Sequence, residues 1–462
     1  MVLSTKMLKR NEINNLSFED FKKEIAKKRV LNLFAHNDRL YAILADDSTK
    51  EFFVYTTGVY KEYPSMTLDI PKVHMFEREI FENEGITPLN HPFLKPVRSQ
   101  KNYEFLMSDD LQSHEVAVGP VHAGIIEPGH FRFLCNGERI NHLEISLGYQ
   151  HRGVETLMKN RPSVQLAESI SGDSTIGHSY TYLKVTEKLS GIIIGEREEI
   201  IRKIALELER MAIHIGDIGA IAGDVAYQTA ASVLAVTRTL VINTFLEICG
   251  NRFAKGFLKT GGVNYDIDSN MQSKILDMLG TVLKRTEEAV DAMFSHATVL
   301  SRLEGTGVVS NKRAKEIGMT GPSARASGVV VDSRIYEYEN FEIQTLKSGD
   351  VYARSCIRYL EIKQSASIIK KLIQKLNGSI QNERRNICLA SNSICFSITE
   401  GWRGEICHAV LTDENGYIEK YKIKDPSFNN WFALALAVRN NQISDFPVCN
   451  KSFNLSYSGF DL

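Results

Sequence analysis

The chain has 462 residues, of which 43% are hydrophobic and 24% are charged, and its formal net charge is −1. A chain of this length and composition is expected to form a globular protein of about two domains. Because it is nearly neutral and has no dense basic run, we predict no nucleic-acid partner.

The apolar and cysteine patterns limit the cellular compartments in which the chain is expected. No uncharged apolar run reaches the roughly 20 residues that span a bilayer, and residues 1–15 are polar, without a signal-peptide core. We therefore expect a cytosolic chain, unless partners hold it at a membrane. Its seven cysteines include no C-x-x-C pair, so we expect them to be reduced and buried rather than metal ligands.

The first part of the chain predicts a small α/β domain over residues 1–105. The capping-box pattern that begins at Ser17 predicts a short amphipathic helix through Lys28. Strand-like runs follow at residues 30–34, 40–44 and 51–57, with a polar turn region before residues 66–70. Residues 99–117 are polar and lightly patterned, which favours a linker.

The remainder, residues 106–462, predicts a larger domain built on a helical bundle. Gly and Pro punctuate residues 119–133, which favours two strands joined by a turn. Apolar residues recur at helical spacing in residues 196–220, 271–303 and 351–376. Residues 400–431 alternate like strands and precede one last helix. The expected fold class is α+β: a small N-terminal α/β domain, then a helical bundle with β segments at its ends.

Several motifs, in this order, resemble one known family. Residues 76–94 resemble a signature of the 30-kilodalton-type subunit of respiratory complex I. The segments GPVHAGIIEPGHFRF, LGYQHRGVE, GPSARASG and DPSFNNW, which begin at residues 119, 147, 321 and 425, resemble the fused large subunits of energy-converting, membrane-bound nickel-iron hydrogenases. Those subunits are similar to the 49-kilodalton, quinone-site subunit of complex I. The resemblance implies a 30-kilodalton-like domain over residues 1–105 and a hydrogenase-like domain over residues 106–462.

The resemblance breaks at the metal ligands. In the family two cysteine pairs hold nickel and iron, and the matching positions here are Ser171, Ser174, Ser456 and Gly459. A serine hydroxyl is hard and protonated at neutral pH, whereas these metals need soft, anionic sulfur. Glycine has no side chain at all. We therefore predict that the chain binds no metal or other cofactor of its own and does not activate hydrogen.

The loops that surround the family's site are all present, so we expect a cavity there. The predicted catalytic residues are Glu155, Asp173, His178 and Arg325. The residues expected to line the substrate cavity are His122, Glu127, His130, Ser171, Ser174 and Ser456. Structural alternatives exist for three of them: Glu155 could pair with an arginine of the bundle, His178 could donate to a backbone carbonyl, and Arg325 could tie loops together.

Quinone binding stays open at this point. In complex I a tyrosine and a histidine hold the quinone headgroup. The tyrosine position corresponds to Gly172, and the histidine could be His122 or His130.

The resemblance supports two functional hypotheses. In the first, the chain joins an iron-sulfur small subunit and membrane-arm subunits in electron transfer, possibly to quinone, coupled to proton or sodium translocation. In the second, it is a structural adaptor without redox chemistry of its own. A third hypothesis, a hydrogenase with unusual ligands, requires nickel in the purified protein.

Overall fold

Helices and strands are interspersed along the whole chain. The computed structural model describes residues 4–101, 103–109, 112–122, 126–381 and 387–462. The strands are β1 (Thr5–Lys9), β2 (Asn14–Asn15), β3 (Arg29–His36), β4 (Arg39–Asp46), β5 (Glu51–Gly58), β6 (Glu62–Pro64), β7 (Thr87–Leu89), β8 (Ser113–Val118), β9 (His130–Asn136), β10 (Arg139–Ser146), β11 (Leu258–Lys259), β12 (Gly262–Val263), β13 (Ser393–Gly401), β14 (Gly404–Thr412) and β15 (Ile418–Lys424). The α-helices are α1 (Phe18–Lys27), α2 (His74–Glu84), α3 (Val154–Asn160), α4 (Val164–Glu168), α5 (Thr175–Leu189), α6 (Glu196–Asp224), α7 (Gln228–Cys249), α8 (Ser269–Phe294), α9 (Ala297–Leu303), α10 (Asn311–Glu316), α11 (Gly321–Ala326), α12 (Val351–Ile373), α13 (Ser427–Ala437), α14 (Phe446–Phe453) and α15 (Tyr457–Asp461). This mixture confirms the predicted α+β class.

The N-terminal part of the chain folds on a sheet of order β2-β5-β4-β3. The strands β3, β4 and β5 are antiparallel neighbours and cover the three predicted strand runs. The helix α1 begins where predicted, because the Ser17 hydroxyl accepts a hydrogen bond from the Asp20 amide at 3.2 Å. Phe21 and Ile25, one turn apart on α1, are buried in the core of this part of the chain.

The N-terminal and C-terminal parts of the chain share a sheet. β1 pairs antiparallel with β13 in a second sheet of order β1-β13-β14-β15. β13 and β14 are buried along their full length, so their backbone groups need partners on both edges. β1 supplies these partners along one edge of β13, so by its hydrogen bonds it belongs to the C-terminal sheet. The predicted domain boundary at residue 105 stays a prediction.

The predicted linker over residues 99–117 is wrong at its C-terminal end. β8 begins at Ser113 and pairs antiparallel with β9, which in turn pairs with β10. β9 therefore has β10 on one edge and β8 on the other. This pairing holds residues 113–118 in a strand although their sequence is polar. The prediction of two strands joined by a turn within residues 119–133 is wrong for the first strand: β9 begins at His130, and residues 119–122 and 126–129 form no strand. Residues 123–125 lie outside the described residues.

The helical bundle follows two of the three predicted stretches closely. α6 and α12 lie at the stretches 196–220 and 351–376, and α6 packs on α7 and α12. The stretch 271–303 is instead two helices, because His296 has an extended backbone that separates α8 from α9. The sequence predicts one last helix, but the structure has three, α13 to α15. α14 ends before α15 because Asn454 adopts a left-handed conformation (φ 47°).

Two further expectations concern membrane spans and cysteines. By length and composition α7 is the one helix among the described residues that could cross a membrane, and 39% of its most apolar window is buried inside the chain. A single helix of this kind is weak evidence of a membrane span. All seven cysteines are free thiols. The expectation that they are buried is wrong for Cys388, which is exposed because it lies in a loop before β13, and for Cys249 and Cys356, which are half-buried.

A network of buried charges lies between α6, α11, α12 and the end of β13. The Arg325 guanidinium pairs with Glu361 at 2.6 Å, with Glu400 at 2.7 Å and with Asp332 at 3.2 Å. All four side chains are at most 1% exposed. Buried ions need this degree of pairing, because each loses the hydration that stabilises its charge in water.

Replacing Arg325 with methionine removes the cation that contacts all three carboxylates, and Arg334 still pairs with only two of them, Asp332 and Glu361. We expect the free energy of unfolding to fall by about 3–5 kcal/mol, the typical cost of removing one partner of a buried ion pair. Thermal and chemical unfolding of the full chain measures this. The matched control is Lys274→Ala, whose side chain is 53% exposed and pairs with Glu247; it should change stability by less than about 1 kcal/mol. Equal effects of the two substitutions would contradict the prediction.

Candidate functional site

The site is organised by the tight turn that joins β13 to β14. The turn residues are Trp402 and Arg403, flanked by Gly401 and Gly404. A Cβ atom added to Gly321 would lie 2.0 Å from the Arg403 carbonyl oxygen, and Gly321 has a left-handed backbone (φ 72°). Only glycine permits this contact between the start of α11 and the turn. The contact holds Arg403 in place.

Arg403 forms a two-pronged ion pair with Asp173, in the loop before α5. Its Nη1 and Nη2 atoms lie 2.6 and 2.7 Å from the two carboxylate oxygens. Nη1 is also within 3.2 Å of the Ser171 hydroxyl and 3.4 Å of the Ser174 hydroxyl, and Nε donates to the Asn454 carbonyl at 2.6 Å. This bidentate geometry is among the strongest that an arginine and a carboxylate can form.

The two segments that match the family's cysteine pairs meet at this ion pair. The Oγ atoms of Ser171 and Ser456 are 3.0 Å apart, although 285 residues separate them in the chain. Ser171 also donates to Asp173 at 3.0 Å. The three matching serines are 1–2% exposed. We define the serine cluster as Ser171, Asp173, Ser174, Arg403 and Ser456.

The fourth matching position, Gly459, is closed by Asp425. A Cβ atom added to Gly459 would lie 2.7 Å from Asp425 Oδ2 and 2.9 Å from the Ser456 hydroxyl. The Asp425 carboxylate is held by the Nε2 atom of His178 at 3.0 Å and by the Ser427 amide at 2.8 Å. A side chain at position 459 would therefore have to displace a tethered carboxylate.

This donor set does not fit the nickel and iron of the family. Three hydroxyls, each within hydrogen-bonding distance of a neighbouring polar group, replace three thiolates, and the space beside Gly459 holds a carboxylate. Among the residues that the structure describes, no group of three or more His, Cys, Asp or Glu side chains is arranged to hold a metal ion. That the chain binds no metal stays a prediction.

The charges in the site are mutually stabilised. Burial opposes the ionised form of Arg403, but the Asp173 carboxylate outweighs it and raises the pKa of Arg403 above its ordinary value. Burial also works against ionised Asp173, yet Arg403 lowers the pKa of Asp173. At Asp425 the hydrogen bond from His178 overcomes the same burial effect and lowers the pKa of the carboxyl. Both carboxylates are ionised at neutral pH.

The site reaches the surface beside Gly172. A Cβ atom added there would meet no atom within 4 Å, and the Asp173 side chain is 36% exposed. The position that matches the quinone-contacting tyrosine of complex I is thus an exposed glycine with no side chain to donate a hydrogen bond. We call this exposed position the Gly172 opening.

The structure brings four predicted site residues together in the cluster: Ser171, Asp173, Ser174 and Ser456. His178 lies behind it, bonded to Asp425. The structural alternative in which His178 donates to a backbone carbonyl is thus not observed.

Glu127 reaches the C-terminal segment from a different loop. It accepts a hydrogen bond from the Ser458 amide at 3.3 Å. The Ser458 hydroxyl in turn lies 3.4 Å from the hydroxyl of Ser456. Glu127 therefore lies next to the cluster, as predicted from the motif that contains it, although its expected role as a cavity residue stays a prediction.

Four predicted site residues lie elsewhere. Glu155 pairs with Lys422 at 3.0 Å and accepts from the Ile423 amide at 2.9 Å. Arg325 belongs to the buried charge network, in which three carboxylates balance its charge. The Nδ1 atom of His122 lies 3.0 Å from the Gly119 carbonyl oxygen, and His130 packs against the ring of Phe105. The predicted roles of all these residues stay predictions.

Sequence reasoning missed Arg403, Asp425 and Glu209. Arg403 carried one signal, its place between two glycines in a strand-like segment. Glu209 accepts from the Ile176 and Gly177 amides at 2.7 and 3.2 Å, at the start of α5. Burial nevertheless raises the pKa of Glu209 to about 8. Asp425 is the first residue of the motif DPSFNNW, but the motif does not show its contact with His178 and Gly459. No local pattern marks Glu209, because its partners are distant in sequence.

Adding one methyl group at Gly459 tests how tightly the site is closed. We expect Gly459→Ala to lower the free energy of unfolding by about 1–3 kcal/mol, as overpacking does in cores, because the neighbouring Asp425 and Ser456 oxygens are tethered. The control is Gly280→Ala, at an exposed position of α8 with no atom within 4 Å of the added Cβ. It should stabilise the helix by about 0.5–1 kcal/mol. Denaturant unfolding measures both, and a neutral Gly459→Ala would show that the site is loosely packed.

Comparison with known proteins agrees with the motifs. The family described as respiratory-chain NADH dehydrogenase, 49 Kd subunit, matches residues 224–397. The membrane-bound hydrogenase subunit alpha of Pyrococcus furiosus is 30% identical over 365 residues, which cover 74% of this chain and 85% of that protein. An NADH-quinone oxidoreductase subunit of Clostridium beijerinckii is 28% identical over 348 residues, which cover 73% of this chain and 94% of that protein.

A solved structure has the same fold. It is a chain of the membrane-bound sulfane sulfur reductase, an archaeal respiratory membrane complex, with a TM-score of 0.70 and 25% identity. The match covers 77% of this chain and 100% of that chain. Together with the serine cluster, at which the family's ligand segments meet, these similarities confirm the predicted resemblance. The chain belongs to the family of membrane-bound hydrogenase large subunits and 49-kilodalton subunits of respiratory-chain NADH dehydrogenase.

Proposed function

We propose that this chain is a nickel-free large subunit of a membrane-bound, ion-translocating oxidoreductase complex. It receives electrons from an iron-sulfur subunit and passes them to quinone, which enters at the Gly172 opening. The observation that carries this proposal is the rebuilt ligand site: three hydroxyls, an ion pair between Arg403 and Asp173, and a carboxylate beside Gly459. Such oxygen and nitrogen groups exchange protons and bind polar headgroups, whereas nickel and iron in this family need thiolates.

The relatives support the setting of this function. Two of them are named as subunits of a membrane-bound hydrogenase and of an NADH-quinone oxidoreductase, and the solved structure is a respiratory membrane complex. By the same reasoning the chain is peripheral on the cytoplasmic side, bound to membrane-arm subunits that translocate protons or sodium ions.

A second candidate function is that of a structural adaptor. It is favoured by the direct contact of the Ser171 and Ser456 hydroxyls and by the engagement of Arg403 with four neighbours. In this case the cluster only fastens the C-terminal segment to the loop before α5, and the surrounding complex carries the redox chemistry.

The first experiment is an analysis of nickel, iron and extractable quinone in the complex purified with its native partners. We expect no nickel, iron only in the amount of the partners' iron-sulfur clusters, and bound quinone. Stoichiometric nickel would overturn the proposal in favour of a hydrogenase with unusual ligands. The absence of both nickel and quinone would favour the adaptor.

Filling the opening at Gly172 separates the two candidates further. In the assembled complex we expect Gly172→Leu to lower kcat/KM for quinone about tenfold or more, equivalent to about 1.4 kcal/mol of lost transition-state stabilisation. The substitution is compatible with the fold, because no atom lies within 4 Å of the added Cβ. Gly280→Leu, at an equally open position on α8, should leave kcat/KM unchanged. If Gly172→Leu also leaves it unchanged, quinone does not enter at this opening.

A further inference from the structure

An apolar cavity of about 440 Å³ lies where the N-terminal part of the chain meets β10 and the C-terminal helices. It is lined by α2 and the loop after β7, and by β10, α13 and α15. Leu68 also lines it and is 68% exposed, so the cavity reaches the surface. Its apolar lining includes Leu68, Met75, Phe93, Leu147, Trp431 and Phe432. A volume of this size with mainly apolar walls is typical of small-molecule sites.

Arg439 gives this cavity a cation without an anionic partner. Its Nη2 atom donates to Nδ1 of His142 at 3.1 Å, and both residues line the cavity. Burial lowers the pKa of His142, so the imidazole is neutral and accepts this bond without balancing the charge. The Nε atom of Arg439 is buried and has no hydrogen-bond partner among the described residues. Burial and the neighbouring Arg313 both lower the pKa of Arg439, and no carboxylate of the described residues offsets them.

Arg78 adds a second cation to the lining. It is 8% exposed, and its Nε and Nη2 atoms donate to the carbonyl oxygens of Lys95 and Pro96, each at 2.7 Å. The guanidinium carbon lies 5.2 Å from the centre of the Phe93 ring, which also lines the cavity. Carbonyl oxygens satisfy hydrogen-bond donors but carry no full charge, so Arg78 stays positive.

The other ionisable groups of the lining do not balance the two arginines. Burial lowers the pKa of His74 to about 3 and also lowers the pKa of His91, so both rings are neutral at neutral pH. Glu144 is already paired with Lys95 at 2.5 Å and accepts a hydrogen bond from the Tyr103 hydroxyl at 3.0 Å. The cavity is therefore apolar in its walls and positive in its charge.

We propose that this cavity binds a fatty acid, with its carboxylate on Arg439 and its chain along the apolar walls. Apolar walls by themselves favour any hydrophobic molecule. The unbalanced guanidinium selects an anionic head, because a hydrogen bond between two charged groups is stronger than a neutral one and a half-buried cation is stabilised by a counter-ion. This site does not depend on the proposed function, and the serine cluster takes no part in it.

Isothermal titration calorimetry of the full chain with sodium decanoate tests the site. We expect a Kd of about 0.1 mM or lower. Decyltrimethylammonium, which has the same chain length but a cationic head, should bind at least about tenfold more weakly. We expect Arg439→Gln to weaken decanoate binding about tenfold or more, because the guanidinium that pairs with the carboxylate is lost. The control is Arg285→Gln, at an exposed position of α8, which makes the same change in net charge and should leave the Kd unchanged.

Filling the cavity from α13 keeps the test decisive if Arg439→Gln does not fold. Ala435→Phe adds an aromatic ring at a lining residue and retains Arg439, so decanoate should again bind about tenfold more weakly or less. An unchanged Kd for decanoate in a folded variant of either kind, or equal binding of the two amphiphiles, overturns the fatty-acid site. Binding to the full chain but not to the complex purified with its native partners also overturns it, because a partner then covers the cavity.

Discussion

The ion pair between Arg403 and Asp173 is the interaction on which the rest of the site depends. It lies where the family's two ligand segments meet, and its guanidinium also reaches the hydroxyls of Ser171 and Ser174. An arginine confined this tightly needs a carboxylate, because an unpaired buried charge is costly. The turn that carries Arg403 is in turn held by the glycine contact at the start of α11. The arrangement of the site therefore depends on local backbone geometry as well as on the side chains of the cluster.

The buried charge network also stabilises the end of β13, which leads into the turn that carries Arg403. Arg210 donates to the carbonyl oxygens of Glu400 and Gly401 at 2.6 and 3.0 Å, directly before the turn. Arg325 holds the Glu400 side chain from the other side. A core made of paired ions specifies one arrangement, since a shifted register would leave charges without partners. The predicted catalytic residue Arg325 thus has a clear positioning effect on the turn that carries Arg403.

The interior of the serine cluster is hydrogen-bonded, whereas its edge at Gly172 and Asp173 is exposed. The first property is expected of an adaptor and the second of a substrate site. Direct contacts between serines leave the interior of the cluster bonded, as an adaptor requires. Gly172 and the one-third exposed Asp173 place one edge of the same cluster at the surface, as a substrate site requires. The groups at the positions that match the family's metal ligands are polar and lie next to buried titratable residues such as Asp425 and Glu209.

The sequence by itself determined the fold class, the family, the helix start at Ser17, the long helices α6 and α12 and the loss of the four thiols. These follow from short-range periodicity, capping and ordered motifs, which act over a few residues. Only the tertiary structure decided that Arg403 joins the serine cluster and Asp425 lies beside Gly459, that β1 joins the C-terminal sheet, and that His178 bonds to Asp425, 247 residues away. A one-dimensional pattern carries no distance between such residues, so their contacts are set by the packing of helices on sheets rather than by any local signal.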